Sequence, residues 1–255
     1  MSVIFDGRFE SGARMEVGTS PGYSATGSGL LTNNAYVQDP LGKKGLVARM
    51  TVVAGQASFA SGHRTEASLI QTARGQFVYH NSVAMLDGWD GDWPYTIIYQ
   101  QHGNDSTATY GRPPCIEIGA YGPRERCYIK VWSRTDPTAS STSKAAMTER
   151  VLWAGYVDMT DWLDITLEAN WQYDSTGWIN LYFNGKKVAG FTGAGTCYNE
   201  PEGGPFHKFG TYVQIGADTT RDVTTYHTGT IIATTLADIT TLTGVAFGKQ
   251  LMASF

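Results

Sequence analysis

Three short segments of this 255-residue chain carry ionisable and amide side chains at alternating positions. In a strand, residues i and i+2 point to the same face. Between His63 and Ser68 the shared set is Arg64, Glu66 and Ser68. Between Ile98 and His102 it is Ile98, Gln100 and His102, and between Phe206 and Gln214 it is Lys208, Gly210, Tyr212 and Gln214. A guanidinium fork suits a carboxylate, and an amide N–H can join it. An imidazole and a phenol can take or give a proton when their surroundings tune them. Gly210 removes a side chain from its face, as if something must approach the sheet there. Each residue alone is ordinary: a lone His or Tyr in a strand is usually structural, and Arg64–Glu66 would be worth little as an exposed ion pair. The chemistry needs the three segments to converge, which spacing alone does not show.

The elements that must position these groups read as strands. Leu46–Val53, Gln76–Met85, Tyr95–Gln101, Arg126–Trp132, Arg150–Val157, Leu163–Trp171 and Trp178–Phe183 are rich in Val, Ile, Thr, Tyr and Trp, and Gly, Pro, Asn and Asp bound them. Trp178–Phe183, Asn184-Gly185 and Lys186–Phe191 spell a hairpin, because Asn-Gly supplies the two positive φ angles of a type I′ turn. Helical periodicity is almost absent, with short turns expected only near Ser143–Glu149 and Leu236–Leu242. Many strands without intervening helices predict an all-β chain, one antiparallel β-sandwich of the jelly-roll, concanavalin-like type over residues 1–255. Such a fold often offers a concave sheet to an extended polymer.

Composition narrows the function. Charged residues are 16% and aromatics 12% of the chain, which excludes a disordered polyelectrolyte. No apolar run reaches the ~18 residues of a membrane span, and a net charge of −4 argues against a nucleic-acid partner. Cys115, Cys127 and Cys197 have no zinc spacing and are expected as free buried thiols, with a single disulfide as the alternative. No EF-hand or zincin spacing occurs, so neither metal nor cofactor is expected. The N-terminus lacks a basic segment followed by an apolar stretch, so no secretory signal is expected: either the chain is a mature form, or the protein is made in the cytoplasm and leaves by another route such as lysis. Cellular location and oligomeric state are otherwise unreadable.

Arg64-Thr-Glu66, Gln100-Gln-His102 and Lys208-Phe-Gly-Thr-Tyr212-Val-Gln214 resemble the R-x-E, Q-x-H and Y-x-K-x-G-x-Y-x-Q signatures of jelly-roll polysaccharide lyases. Phe206 stands where the last pattern begins with Tyr, and the second arginine of the alginate lyase pattern is missing. Asp161–Glu168, Gly177–Val188 and Phe206–Tyr212, with Trp93-Pro94 before Gln-x-His, are similar to the glucuronan lyase and heparin lyase I branch. The resemblance runs over about residues 40 to 235. It implies cleavage of a uronate-containing, anionic polysaccharide by β-elimination. A base removes the proton on C5, the C4–O bond breaks, and an acid protonates the leaving oxygen. Arg64 and Gln100 would neutralise the carboxylate, where donors aimed at developing charge contribute most. His102 would assist that neutralisation if protonated, or act as base if neutral. Tyr212 would be the acid, and the base too if Lys208 and Arg64 favour its phenolate. Glu66, Lys208, Gln214, Lys130 and Arg221 are further substrate-binding candidates, and Trp89, Trp93 and Tyr99 are candidates for stacking on sugar rings. Two other readings use the same face differently: a carbohydrate-binding module that does not cut, and a virion structural protein with a lyase-like fold.

Overall fold

The computed structural model describes residues 3–9, 24–26, 34–58, 62–69, 73–85, 95–103, 113–137, 147–199, 203–214 and 220–248. Two antiparallel sheets account for nearly all of them. The first has the order β13 (Lys186–Thr192), β12 (Trp178–Phe183), β11 (Leu163–Trp171), β6 (Gly75–Ala84), β15 (Val223–Ala233), β4 (Leu46–Val52) and β3 (Asn34–Gln38), and β1 (Val3–Asp6) also pairs with β15. The second runs β10 (Thr148–Val157), β9 (Cys127–Thr135), β8 (Ile116–Tyr121), β7 (Thr96–His102), β14 (Phe206–Gln214), β5 (Gly62–Ser68) and β2 (Ser24–Thr26). This is a jelly-roll sandwich. Its one α-helix among the described residues, α1 (Leu236–Thr243), starts on a Thr235 hydroxyl that accepts the Asp238 N–H and stops at Gly244, φ 74°.

Local chemistry explains the turns and the tertiary structure explains the rest. The Asn184-Gly185 turn has φ of 48° and 73°, both positive as a type I′ hairpin requires, and Phe183 pairs with Lys186 across it. Alternating apolar residues from both sheets meet in one principal core, with Ile118, Ile129 and Val131 from β8 and β9 facing Ile165, Leu167 and Trp171 from β11. The three cysteines are buried free thiols. From Thr148 onward the stretch expected as a helical turn is strand, because it pairs with β9 from Thr148↔Thr135; residues 143–146 lie outside the described residues.

A polar seam crosses the sandwich between β14 and β15. The Thr211 hydroxyl donates to the Met50 carbonyl at 2.6 Å and meets Thr225 at 2.7 Å. Thr225 meets His227 Nε2 at 2.9 Å, and His207 Nε2 lies 2.8 Å from the Thr230 hydroxyl. Burial pushes His207 and His227 down to about 3. His80, buried beside Thr166, is pushed to about 4, by burial first and by Lys44 and Arg8 against the pull of Asp164. These imidazoles are neutral in the folded protein at pH 7. Below the unfolded value of 6.5 the unfolded chain therefore binds more protons, so stability is complete above pH 6.5 and falls as pH drops toward 3–4. Between pH 7.5 and 5.0 the three should cost on the order of 5 kcal/mol, at about 1.4 kcal/mol per unit for each. Urea unfolding at the two pH values measures this, and equal midpoints would mean the rings titrate as in solvent.

Candidate active site

The three segments picked out by alternation occupy adjacent strands. β14 sits between β7 and β5, with Lys208 opposite both Gln100 and Ser68, Gly210 opposite Glu66, Tyr212 opposite Arg64, and Phe206 opposite His102. Ala67, Tyr99, Phe209 and Val213 point into the core between the sheets. By the strand period of two, Arg64, Glu66, Gln100, His102, Lys208, Tyr212 and Gln214 stand on the other face of the sheet. Pairing thus brings together groups that are more than a hundred residues apart.

They are held by one another. Gln100 Nε2 donates to Glu66 Oε1 at 2.5 Å, and Arg64 Nη1 lies 3.4 Å from Glu66 Oε2. The Arg64 guanidinium carbon stacks 3.9 Å from the centroid of the Tyr212 ring. Lys208 Nζ lies 5.2 Å from the Phe206 ring, whose other neighbour is His102 at 5.3 Å between centroids. Burial raises the Glu66 carboxyl, while Lys208, Arg64 and the Gln100 amide pull it back down. Glu66 is 1% exposed, with Gln100 on one oxygen and Arg64 on the other.

His102 is neutral. Burial lowers it to about 4, and Lys208 and Arg64 push in the same direction against the hydrogen bond to Gly103. Its Nδ1 is 2.7 Å from the Gly103 carbonyl. A carbonyl only accepts, so Nδ1 carries the proton and Nε2 presents the lone pair. In that state the ring can accept a proton at Nε2.

The remaining candidates separate. Gln214 is exposed at the end of β14, opposite Gly62. Lys130 stands half-buried on β9, its Nζ 3.9 Å from the Trp132 ring centroid. Arg221 is exposed ahead of β15 on the other sheet and does not share a strand with the group. Trp89 and Trp93 lie outside the described residues. Tyr99 corrects the expectation of a sugar platform: it is fully buried, 4.6 Å from the inward His207 ring, with Gln101 donating to its hydroxyl.

Two further expectations are corrected. A bulge shifts the β7–β8 register between Ile97 and Tyr99, so Ile98 packs in the core beside Tyr99, and Ile97 is the residue opposite Tyr212. Gly210 does not make room for a ligand. Its φ is 143°, and a Cβ there would collide with the Thr65 carbonyl and sit 2.8 Å from Glu66 Cα, so what approaches is the backbone of β5.

Sequence reasoning missed a neighbouring cluster. Glu117, opposite Gln100 on β8, accepts Tyr95 Oη at 2.8 Å and Arg134 Nη1 at 2.9 Å, and Arg134 also binds Glu149. The signal was present in Ile116-Glu-Ile-Gly-Ala-Tyr121, which alternates strictly, but its small residues hid a strand. Tyr95 lies against Gly119, where any Cβ would overlap its ring. Among the described residues no group of three or more His, Cys, Asp or Glu could hold a metal ion, and no helix is long and apolar enough to cross a membrane.

A jelly roll that gathers a guanidinium, an amide, a neutral imidazole, an ammonium and a phenol on one sheet defines a class: a sandwich equipped to move a proton beside a bound anion. The polysaccharide lyase family profile matches residues 15–230, and the chain belongs to that family. It is a polysaccharide lyase, an enzyme of β-elimination. Among solved structures it is similar to the endo-β-1,4-glucuronan lyase of the fungus Trichoderma reesei, with 15% identity over 93% of this chain and 98% of that one and a TM-score of 0.68. It is also similar in fold to a botulinum neurotoxin DC binding domain solved with SialylT, with 12% identity over 87% of this chain and 45% of that one and a TM-score of 0.51. No curated protein sequence matches the chain significantly.

Proposed function

We propose that the enzyme cleaves a polymer containing uronate residues, with the bond broken over β5, β7 and β14. The observation that carries this reading is the neutral His102 on the same face as Arg64, Gln100 and Tyr212. Arg64, Lys208, Arg134 and Lys130 against Glu66, Glu117 and Glu149 leave that face with a net positive charge suited to a polyanion. Arg64 and the Gln100 amide meet the substrate carboxylate, lowering the cost of charge that spreads onto it as C5 loses its proton. Glu66 is a positioning residue for both. His102 Nε2 takes the C5 proton. The electrons of that C–H bond become the C4=C5 double bond, and those of the C4–O bond leave with the oxygen. Tyr212, whose ring lies under the Arg64 guanidinium on the same face, supplies the proton that the leaving oxygen needs.

The registers favour separate roles for the two proton carriers, because Gln100 and Lys208 lie between the His102 and Tyr212 positions along the sheet. The product has a C4=C5 double bond conjugated to a carboxylate and absorbs in the ultraviolet where the substrate does not. The test is absorbance on a panel holding β-1,4-glucuronan, alginate, heparin-type chains and uronate-containing bacterial capsules. A rise on one polymer establishes the substrate class. Flat traces on all of them, from folded protein, would overturn it.

A further inference from the structure

A row of four tyrosines crosses the same sheet beside the proposed cleavage site. Thr96 pairs with Ala120, which sets Tyr95 beside Tyr121; Tyr121 pairs with Tyr128, and Tyr128 with Tyr156 at the β10 edge. Their ring centroids are 6.3, 4.9 and 5.1 Å apart in that order. Two members are open, Tyr121 at 38% and Tyr156 at 59% exposed, among the few large exposed hydrophobics of the described chain. All four phenols belong to the sheet face that carries Gln100, because Glu117 and Tyr121 are four residues apart on β8 and Glu117 is opposite Gln100.

Resting on the reading that the enzyme cleaves a uronate polymer, we propose that the row Tyr95–Tyr121–Tyr128–Tyr156 is a track for that polymer, leading it from the cleavage site across the strands to the β10 edge. Strand spacing of about 4.8 Å advances one tyrosine per strand, close to one pyranose unit of a 1,4-linked chain. The C–H edges of a pyranose are positive and the faces of a phenol negative, so successive sugars can settle on successive rings. Continuity and charge name the occupant. Tyr95 lies against Gly119 and donates to Glu117, the neighbour of Gln100, so the row begins at the site. At its far end the Arg126 guanidinium lies 4.5 Å from the Tyr156 ring centroid, and Lys130 stands on β9 between Tyr128 and Trp132, so cations border the rings where uronate carboxylates would pass.

The experiment compares wild type with Tyr121→Ala/Tyr156→Ala, both on exposed positions. The probe is the polymer that the absorbance panel identifies, or β-1,4-glucuronan if none is cleaved. KM is measured on the polymer and on its tetrasaccharide, and retention is measured in gels cast with the polymer. The track predicts a rise in KM of about tenfold or more on the polymer, unchanged kcat, little change on the tetrasaccharide and weaker gel retention. Equal KM and retention in an active variant would overturn the track and leave the lyase reading intact. Retention by a wild type that does not cleave, lost in the double variant, would support the track and sink the assigned chemistry. A wild type that neither cleaves nor is retained by any polymer would overturn both.

Discussion

Tyr212→Phe should lower kcat by about 10²–10⁴-fold, the usual contribution of one positioned acid or base, with KM within a few-fold of wild type. The change deletes one oxygen. It leaves the ring over which the Arg64 guanidinium stacks at 3.9 Å, so the face keeps its shape and charge. His102→Ala should lose a comparable factor by removing the acceptor of the C5 proton. The two losses should not multiply, because groups that serve one elimination act as a unit. The wild-type pH profile is a second readout. With His102 held near 4 by burial and by Lys208, kcat/KM should fall on the acid side only as pH drops through that region, well below the 6.5 of an ordinary imidazole. The buried histidines weaken the fold over the same range, so rates are read after brief pH jumps from neutral stocks. Full activity in Tyr212→Phe would remove the phenol from the mechanism, and an acid limb near 6.5 would remove the neutral imidazole.

Gly210→Ala should be strongly destabilising, costing about 3–5 kcal/mol from strain and overpacking together. A left-handed φ of 143° excludes side chains, and the added methyl would meet the Thr65 carbonyl and Glu66 Cα on one side and Met50 Cε at 3.1 Å on another. None of these is a loose side-chain end on the surface: two are backbone and Met50 is core. Relief requires β5 to move off β14, which separates Arg64 from Tyr212. Urea unfolding and soluble yield measure the effect, and a variant as stable as wild type would show that the two strands have slack. A loss of activity in a variant that keeps its stability would instead indicate that the site moves before the fold yields.

What the amino-acid sequence determined by itself is what depends on neighbours along the chain. Asn184-Gly185 is the local solution to a tight hairpin, and it appears with the two positive φ angles its chemistry requires. Period-two alternation placed Arg64 with Glu66, Gln100 with His102 and Lys208 with Tyr212, because a strand's pleat is a local property. Tertiary structure decided everything that depends on pairing. The register of β14 against β5 and β7 made three faces into one site, and the same pairing put β8 alongside, adding Glu117, Tyr95 and Arg134 that no local pattern joined to it. One bulge moved Ile98 to the core and Ile97 to the site, since an extra residue reverses which side chains face out and leaves no signature in composition. Tyr99, an aromatic suited equally to a sugar and to a core, went inward beside His207. The charge state of His102 was also a tertiary decision. The ring has the same intrinsic proton affinity in any sequence, and it is burial, with Lys208 across the pair of strands, that keeps it neutral, while the Gly103 carbonyl fixes which nitrogen holds the proton.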